Sequence, residues 1–305
     1  MKRLLNIKII IIIALACISI AGINLFFPKE TRESFVAMDT FVTVRLWGKG
    51  ADEAADEIKS LLIRLENEEF SRFKEGSNVY KLNSERNVKN KKLAGYIQAL
   101  TQIEKASAGK YCIRLGGVSS LWSFGENAII PKDEKIKEEL KRVSESELVI
   151  EGENITFSGE ALLDLGSCAK GIALDEIKEL LEKSKIKYAL ISVGGSVMAW
   201  GNKAFTVGIT KPFSKTGEYA GTVELKNQCI STSGDYERYF EKDGVIYHHI
   251  LDPDTGYPAE STFDGCSVIC DSGMLSDALS TCCFCMSRQE GEELAGKYGA
   301  RVIYS

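Results

Sequence analysis

Histidine is nearly missing from this chain: there are two among 305 residues, side by side at His248 and His249. Any chemistry that needs an imidazole must therefore run through that one stretch. A surplus of positive charge is missing as well, with 38 Lys and Arg against 43 Asp and Glu. Three of the basic residues, Lys2, Arg3 and Lys8, precede the long apolar run at the N-terminus, so the remainder is more acidic still. That balance excludes nucleic acid and anionic membrane surfaces as the natural partners of the main body. No internal repeat and no low-complexity tract is present. At 44% apolar residues the chain buries a full core rather than remaining disordered, and its length allows one or two domains.

Residues 9–27 carry no charge, long enough for a membrane-spanning helix, with the basic residues on the side that stays in the cytoplasm. Ala14-Leu15-Ala16-Cys17 also loosely matches a lipoprotein cleavage box, which would make a lipidated Cys17 the new N-terminus. An uncleaved anchor is favoured over a lipoprotein, because the apolar run continues well past Cys17, and a fully secreted form comes last. In each case the expected division is an anchor or signal at 1–28 and a single domain at 29–305 outside the cytoplasm. The nine cysteines read as buried free thiols rather than disulfides. Cys282, Cys283 and Cys285 lie in an apolar helical pattern where neighbours point apart, and with Cys266 and Cys270 they match no familiar zinc spacing.

Along the chain, 34–47 alternates like a strand, interrupted at Met38 and Asp39. Residues 51–70 form an amphipathic pattern through Ala54, Ile58, Leu61, Leu62 and Leu65, and a polar loop from Ser71 to Asn83 follows. A second helix is expected over 93–107. Residues 115–125 read as a glycine-containing loop, in which Trp122 and Phe124 are core or lid packing. Residues 131–142 read as a charged, solvated helix.

Residues 161–181 give a short apolar stretch, the turn Leu165-Gly166-Ser167-Cys168-Ala169-Lys170-Gly171, and a helix. Such a helix start offers N–H groups and partial positive charge to a phosphate, with Lys170 adding a full charge. The same residues also suit a helix simply capped by Ser167. A buried strand at 189–193 leads into Gly194-Gly195, and strands follow at 204–210 and 219–225. Ser231 to Tyr236 reads as a hydroxyl-rich turn. After a strand at 264–270, the 274–286 helix sets Asp277 and Thr281 on one face, where a carboxylate and a hydroxyl reach one hard cation such as magnesium.

Between these lies Tyr247-His248-His249-Ile250-Leu251-Asp252-Pro253-Asp254-Thr255-Gly256-Tyr257-Pro258, a strand end followed by a rigid turn. It suits either a catalytic histidine or a pair at the end of a surface hairpin.

Five segments in order resemble one family, the ApbE-type flavin transferases: Asp164-Leu165-Gly166 with Ala169-Lys170-Gly171, Val193-Gly194-Gly195-Ser196-Val197, Thr232-Ser233-Gly234-Asp235-Tyr236, the stretch from His249 to Pro258, and Asp277-Ala278-Leu279-Ser280-Thr281. The resemblance implies an α+β fold with a single catalytic domain that binds FAD and Mg2+. It implies transfer of the FMN moiety of FAD to a threonine hydroxyl of a partner protein, for example a subunit of a membrane redox complex, with a phosphodiester formed and AMP released. It assigns the metal to Asp277, Thr281 and the main-chain oxygen of Ser167. FAD contacts map to Met38, Ser120, Leu121, Trp122, Asp164, Lys170 and Ile250, and the reactive histidine to His249. In this chain Ser167 and Cys168 replace the family's usual glycine and aliphatic residue. A metal-dependent FAD pyrophosphatase and a non-catalytic flavin-binding membrane protein are the alternatives. The expected location is the outer face of a bacterial cell membrane.

Overall fold

The alternation at 34–47 belongs to a hairpin, not to one interrupted strand. In the computed structural model, which describes residues 30–125, 128–214 and 217–305, Glu30–Ala37 pairs antiparallel with Thr40–Gly48. Met38 and Asp39 form the two-residue turn, both left-handed with φ of 54° and 55°. A turn with two left-handed residues matches the twist of the strands it joins, which is why the interruption falls where it does. The proposed anchor at 1–28 lies outside the described residues. Among the described residues no helix is long and apolar enough to cross a membrane.

This hairpin begins a seven-stranded antiparallel sheet that continues through Ile186–Val193, Ser196–Gly201, Gln228–Gly234, Gly265–Cys270 and Arg301–Tyr304. Period-two alternation divides its side chains between two faces. Val42, Val44, Leu46, Ile191 and Val268 face the main core. Trp47, Ile230 and Ile269 face away and are covered by the hairpin Phe205–Thr210/Tyr219–Leu225, which contributes Phe205, Ile209 and Leu225. Helices Ala51–Arg64, Lys91–Ala106, Ala169–Glu182 and Gly273–Phe284 fill the core side with Ile58, Leu62, Ile97, Ile172, Ile177 and Leu279. Each such side chain contributes about 1.5–3 kcal/mol on burial. Helices segregated to one side of an antiparallel sheet make this an α+β domain.

Several elements differ from the sequence reading for local reasons. The pattern at 51–70 is α-helical only to Arg64 and then widens to a π turn, Leu65–Phe70. The aromatic loop contains a short helix, Gly116–Leu121. Residues 231–234, read as part of a hydroxyl-rich turn, belong to Gln228–Gly234, a strand of the main sheet. The hydroxyls of this segment are satisfied by Ser196, Ser267, Ser280 and Thr281.

Candidate active site

Helices Ala169–Glu182 and Gly273–Phe284 run past each other in opposite directions with almost no gap. A Cβ on Gly171 would collide with the Gly273 carbonyl and come within 2.6 Å of the Asp277 Cβ; a Cβ on Gly273 would collide in turn with the Gly171 carbonyl. This approach lets each helix cap the other. Asp277 Oδ2 accepts the Gly171 N–H at 2.9 Å. In return Asp175 accepts from Gly273 N at 2.7 Å, Met274 N at 2.9 Å and Ser272 Oγ at 2.8 Å. The N-terminal N–H groups of a helix need such acceptors, and here they come from the neighbouring helix. Ser167 is therefore not the cap: its Oγ pairs with the Tyr111 hydroxyl at 3.0 Å, and Cys168 stands at the cap position without a side-chain capping bond.

Asp277 is 4% exposed. Its Oδ1 accepts from Ser196 Oγ at 3.1 Å, and Ser231 Oγ donates on to Ser196 at 2.9 Å. Burial raises the Asp277 pKa above the usual carboxylate range, opposed by the Lys170 charge and by the bonds from Gly171 and Ser196. One helical turn on, Thr281 Oγ1 lies 3.1 Å from Ser233 Oγ, which also meets Ser280 Oγ at 2.8 Å. The donors gathered here are hard oxygens, and the buried carboxylate is destabilised in its charged form. A small divalent cation fits both properties. Ser167 stands at the start of the same 169–182 helix, beside Tyr111, whose hydroxyl burial pushes well above its usual range. No cluster of three or more His, Cys, Asp or Glu suited to a metal occurs among the described residues.

The two histidines have different surroundings, His248 ending the strand Val245–His248 and His249 following it. His248, 6% exposed, sets its ring edge-on to Phe284 with centroids 5.6 Å apart, and its Nε2 meets the Ala259 carbonyl at 3.1 Å. His249 follows the strand end, its N–H donating to Arg238 O at 3.1 Å. Its Nδ1 is buried without a hydrogen-bond partner. Burial, with help from the Arg238 and Lys170 charges, lowers the His249 pKa to about 4, so the imidazole is neutral at physiological pH. Lys170 therefore acts electrostatically on both Asp277 and His249. Asp252 shapes the turn: its Oδ1 accepts from Asp254 N at 2.7 Å and its carbonyl from Gly256 N at 2.8 Å.

The residues assigned to FAD fall into separate groups. Met38, in its left-handed turn, donates its N–H to Glu66 Oε2 at 2.7 Å. Glu66 stands on the π turn and is held by Lys74 Nζ at 2.7 Å, which lowers its pKa. Trp122 is buried, donating Nε1–H to Gly256 O at 3.0 Å and meeting Phe124, Tyr247 and Tyr257 in an aromatic cluster that Leu121 joins. It thus braces the turn after His249. Ile250 is core. Ser120 and Asp164 are joined by Arg72, which donates to Ser120 Oγ at 2.6 Å and pairs through Nε with Asp164 Oδ2 at 3.1 Å. Asp175, Glu66 and Arg72 were all missed from sequence. For Arg72 the only signal was a charged residue between two aromatics.

An antiparallel sheet backed by two mutually capped helices that gather buried oxygen donors frames this site. The fold is that of solved flavin transferases. The chain superposes on the ApbE protein of Thermotoga maritima with a TM-score of 0.81 and 27% identity, covering 90% of this chain and 94% of that one. On the apo flavinyl transferase ApbE of Pseudomonas stutzeri the TM-score is 0.77 at 26% identity, covering 92% of each. The model of the ApbE family matches residues 38–304, and the chain belongs to that family. A relative named FAD:protein FMN transferase, from Treponema pallidum, is 28% identical over 290 residues, spanning 86% of this chain and 80% of that protein.

Proposed function

We propose that this enzyme is an FAD:protein FMN transferase that uses Mg2+ to pass the FMN moiety of FAD to a threonine hydroxyl of a partner flavoprotein, releasing AMP. The observation that carries this reading is the buried oxygen-donor site at Asp277, held by Gly171 and Ser196 in a chain whose residues 38–304 match the ApbE family. Asp277, Thr281 and the Ser167 main-chain oxygen would hold the magnesium, which when bound neutralises charge on the diphosphate.

The chain's own groups account for the rest. Lys170 offers positive charge to the phosphate oxygens, and the Gly171 N–H keeps Asp277 oriented rather than meeting phosphate itself. His249, uncharged, takes the proton of the acceptor hydroxyl as its oxygen bonds to the FMN phosphorus. The bond from that phosphorus to the bridging oxygen breaks, and AMP leaves with the electron pair. Residues 9–27 would hold the domain on the outer face of the cell membrane, within reach of a membrane redox complex.

The test is AMP release from FAD with and without a threonine-containing acceptor. Transfer predicts AMP formed in step with acceptor consumed. AMP and FMN formed equally well without acceptor would instead assign hydrolysis.

A further inference from the structure

We infer that Arg72 is a positioning residue for FAD, acting through Asp164; this rests on the function proposed above. Asp164 presents a carboxylate whose side chain is 29% exposed, whereas Arg72 behind it is 13% exposed. Each carboxylate oxygen is fixed from the protein side. Oδ2 takes Arg72 Nε at 3.1 Å and Ser119 Oγ at 3.1 Å, and Oδ1 takes the Gly166 N–H at 2.8 Å.

The rest of the guanidinium reaches other segments: one terminal nitrogen donates to Gly116 O at 3.0 Å and Ser120 Oγ at 2.6 Å, the other to Ser119 Oγ at 3.3 Å. One side chain from the 71–76 loop thereby locks the Gly116–Leu121 helix to the Asp164-Leu165-Gly166 turn. A planar fork does this with fixed geometry; a point charge on a flexible stem does not. The solvent-facing edge of Asp164 is left as an oriented acceptor for an N–H donor, a group that both ring systems of FAD carry. The chemistry at Asp277 and His249 has no direct bond to Arg72.

The experiment is a double-mutant cycle of Arg72→Ala and Asp164→Ala on the full chain with FAD, magnesium and acceptor. Arg72→Ala should raise the KM for FAD roughly 10–100-fold with kcat within about twofold, the pattern of lost binding rather than lost transition-state stabilisation. In the Asp164→Ala background it should add little. Arg72→Lys should recover less than half of the loss on a logarithmic scale. An unchanged KM, a fall in kcat matching the fall in kcat/KM, or full additivity with Asp164→Ala would overturn the inference. Should Arg72→Ala not fold, Ser119→Ala goes through the same cycle with the same criteria and a smaller expected effect of about 2–5-fold. An inactive wild-type protein would count against the proposed function instead, and the cycle is then read by FAD titration of the protein.

Discussion

Asp175 and Asp277 cap each other's helices: each carboxylate lies on one helix and accepts the N-terminal N–H groups of the other, across the Gly171–Gly273 contact. The two acids look equivalent in this arrangement, yet their roles are opposite. Asp175 is taken up with capping, whereas Asp277 also accepts from Ser196 and is destabilised in its charged form by burial.

Removing them should separate stability from activity. Asp175→Ala should cost about 1–2 kcal/mol in urea denaturation, the usual worth of a lost cap, and leave turnover nearly intact where the protein is folded. Asp277→Asn keeps an acceptor for Gly171 while removing the buried charge. It should melt no lower than wild type and lose magnesium-dependent transfer. Gly171→Ala should be harmful in both respects, since its Cβ meets main chain, and overpacking of this kind costs about 1–3 kcal/mol.

The adjacent histidines give a second contrast. His249→Ala should slow transfer about 10²–10⁴-fold, the range of a general base, with FAD affinity nearly unchanged. His248→Ala opens space against Phe284 and leaves the Ala259 carbonyl unpaired, so it should lower Tm while sparing the rate. Steady-state kinetics and thermal melts on the same two variants check both statements.

Acid should reveal the same pair. His249 falls to about 4 from an ordinary value near 6.5, and burial lowers His248 too. Between those values the unfolded chain binds protons that the folded one refuses. The histidines' contribution to stability is therefore intact above about pH 6.5 and is lost as pH falls toward 4. For catalysis, kcat/KM should not show a histidine-like fall near pH 6.5 but hold until much closer to 4. A midpoint near 6.5 that disappears in His249→Ala would show that the imidazole is not desolvated as described.

How much of this was legible in the sequence depends on the distance over which each feature is fixed. Asp277 and Thr281 were readable as neighbours because helical spacing alone puts them one turn apart on the Gly273–Phe284 helix. The left-handed turn at Met38 and Asp39 looked like an interruption, since its conformation carries no glycine to announce it. Ser231 and Ser233 looked like part of a hydroxyl-rich turn because their partners, Ser196 and Ser280, are remote in sequence. Asp175 and Arg72 were invisible for the same reason: their acceptors and donors come from segments that only the folded sheet and its helices bring together.

The N-terminal segment is tested by Cys17→Ser. An uncleaved anchor predicts that the membrane-bound protein keeps its original N-terminus and is indifferent to the substitution. A lipoprotein predicts that lipid labelling and processing stop. Intact-mass measurement of the membrane fraction distinguishes them.

The most direct measurement is intact and peptide mass spectrometry of a threonine-containing acceptor after incubation with FAD, magnesium and the full-length enzyme. The proposed function predicts an added FMN on that threonine through a phosphodiester, absent when magnesium is chelated and strongly reduced with His249→Ala. An acceptor of unchanged mass while FAD is converted to FMN and AMP would contradict it.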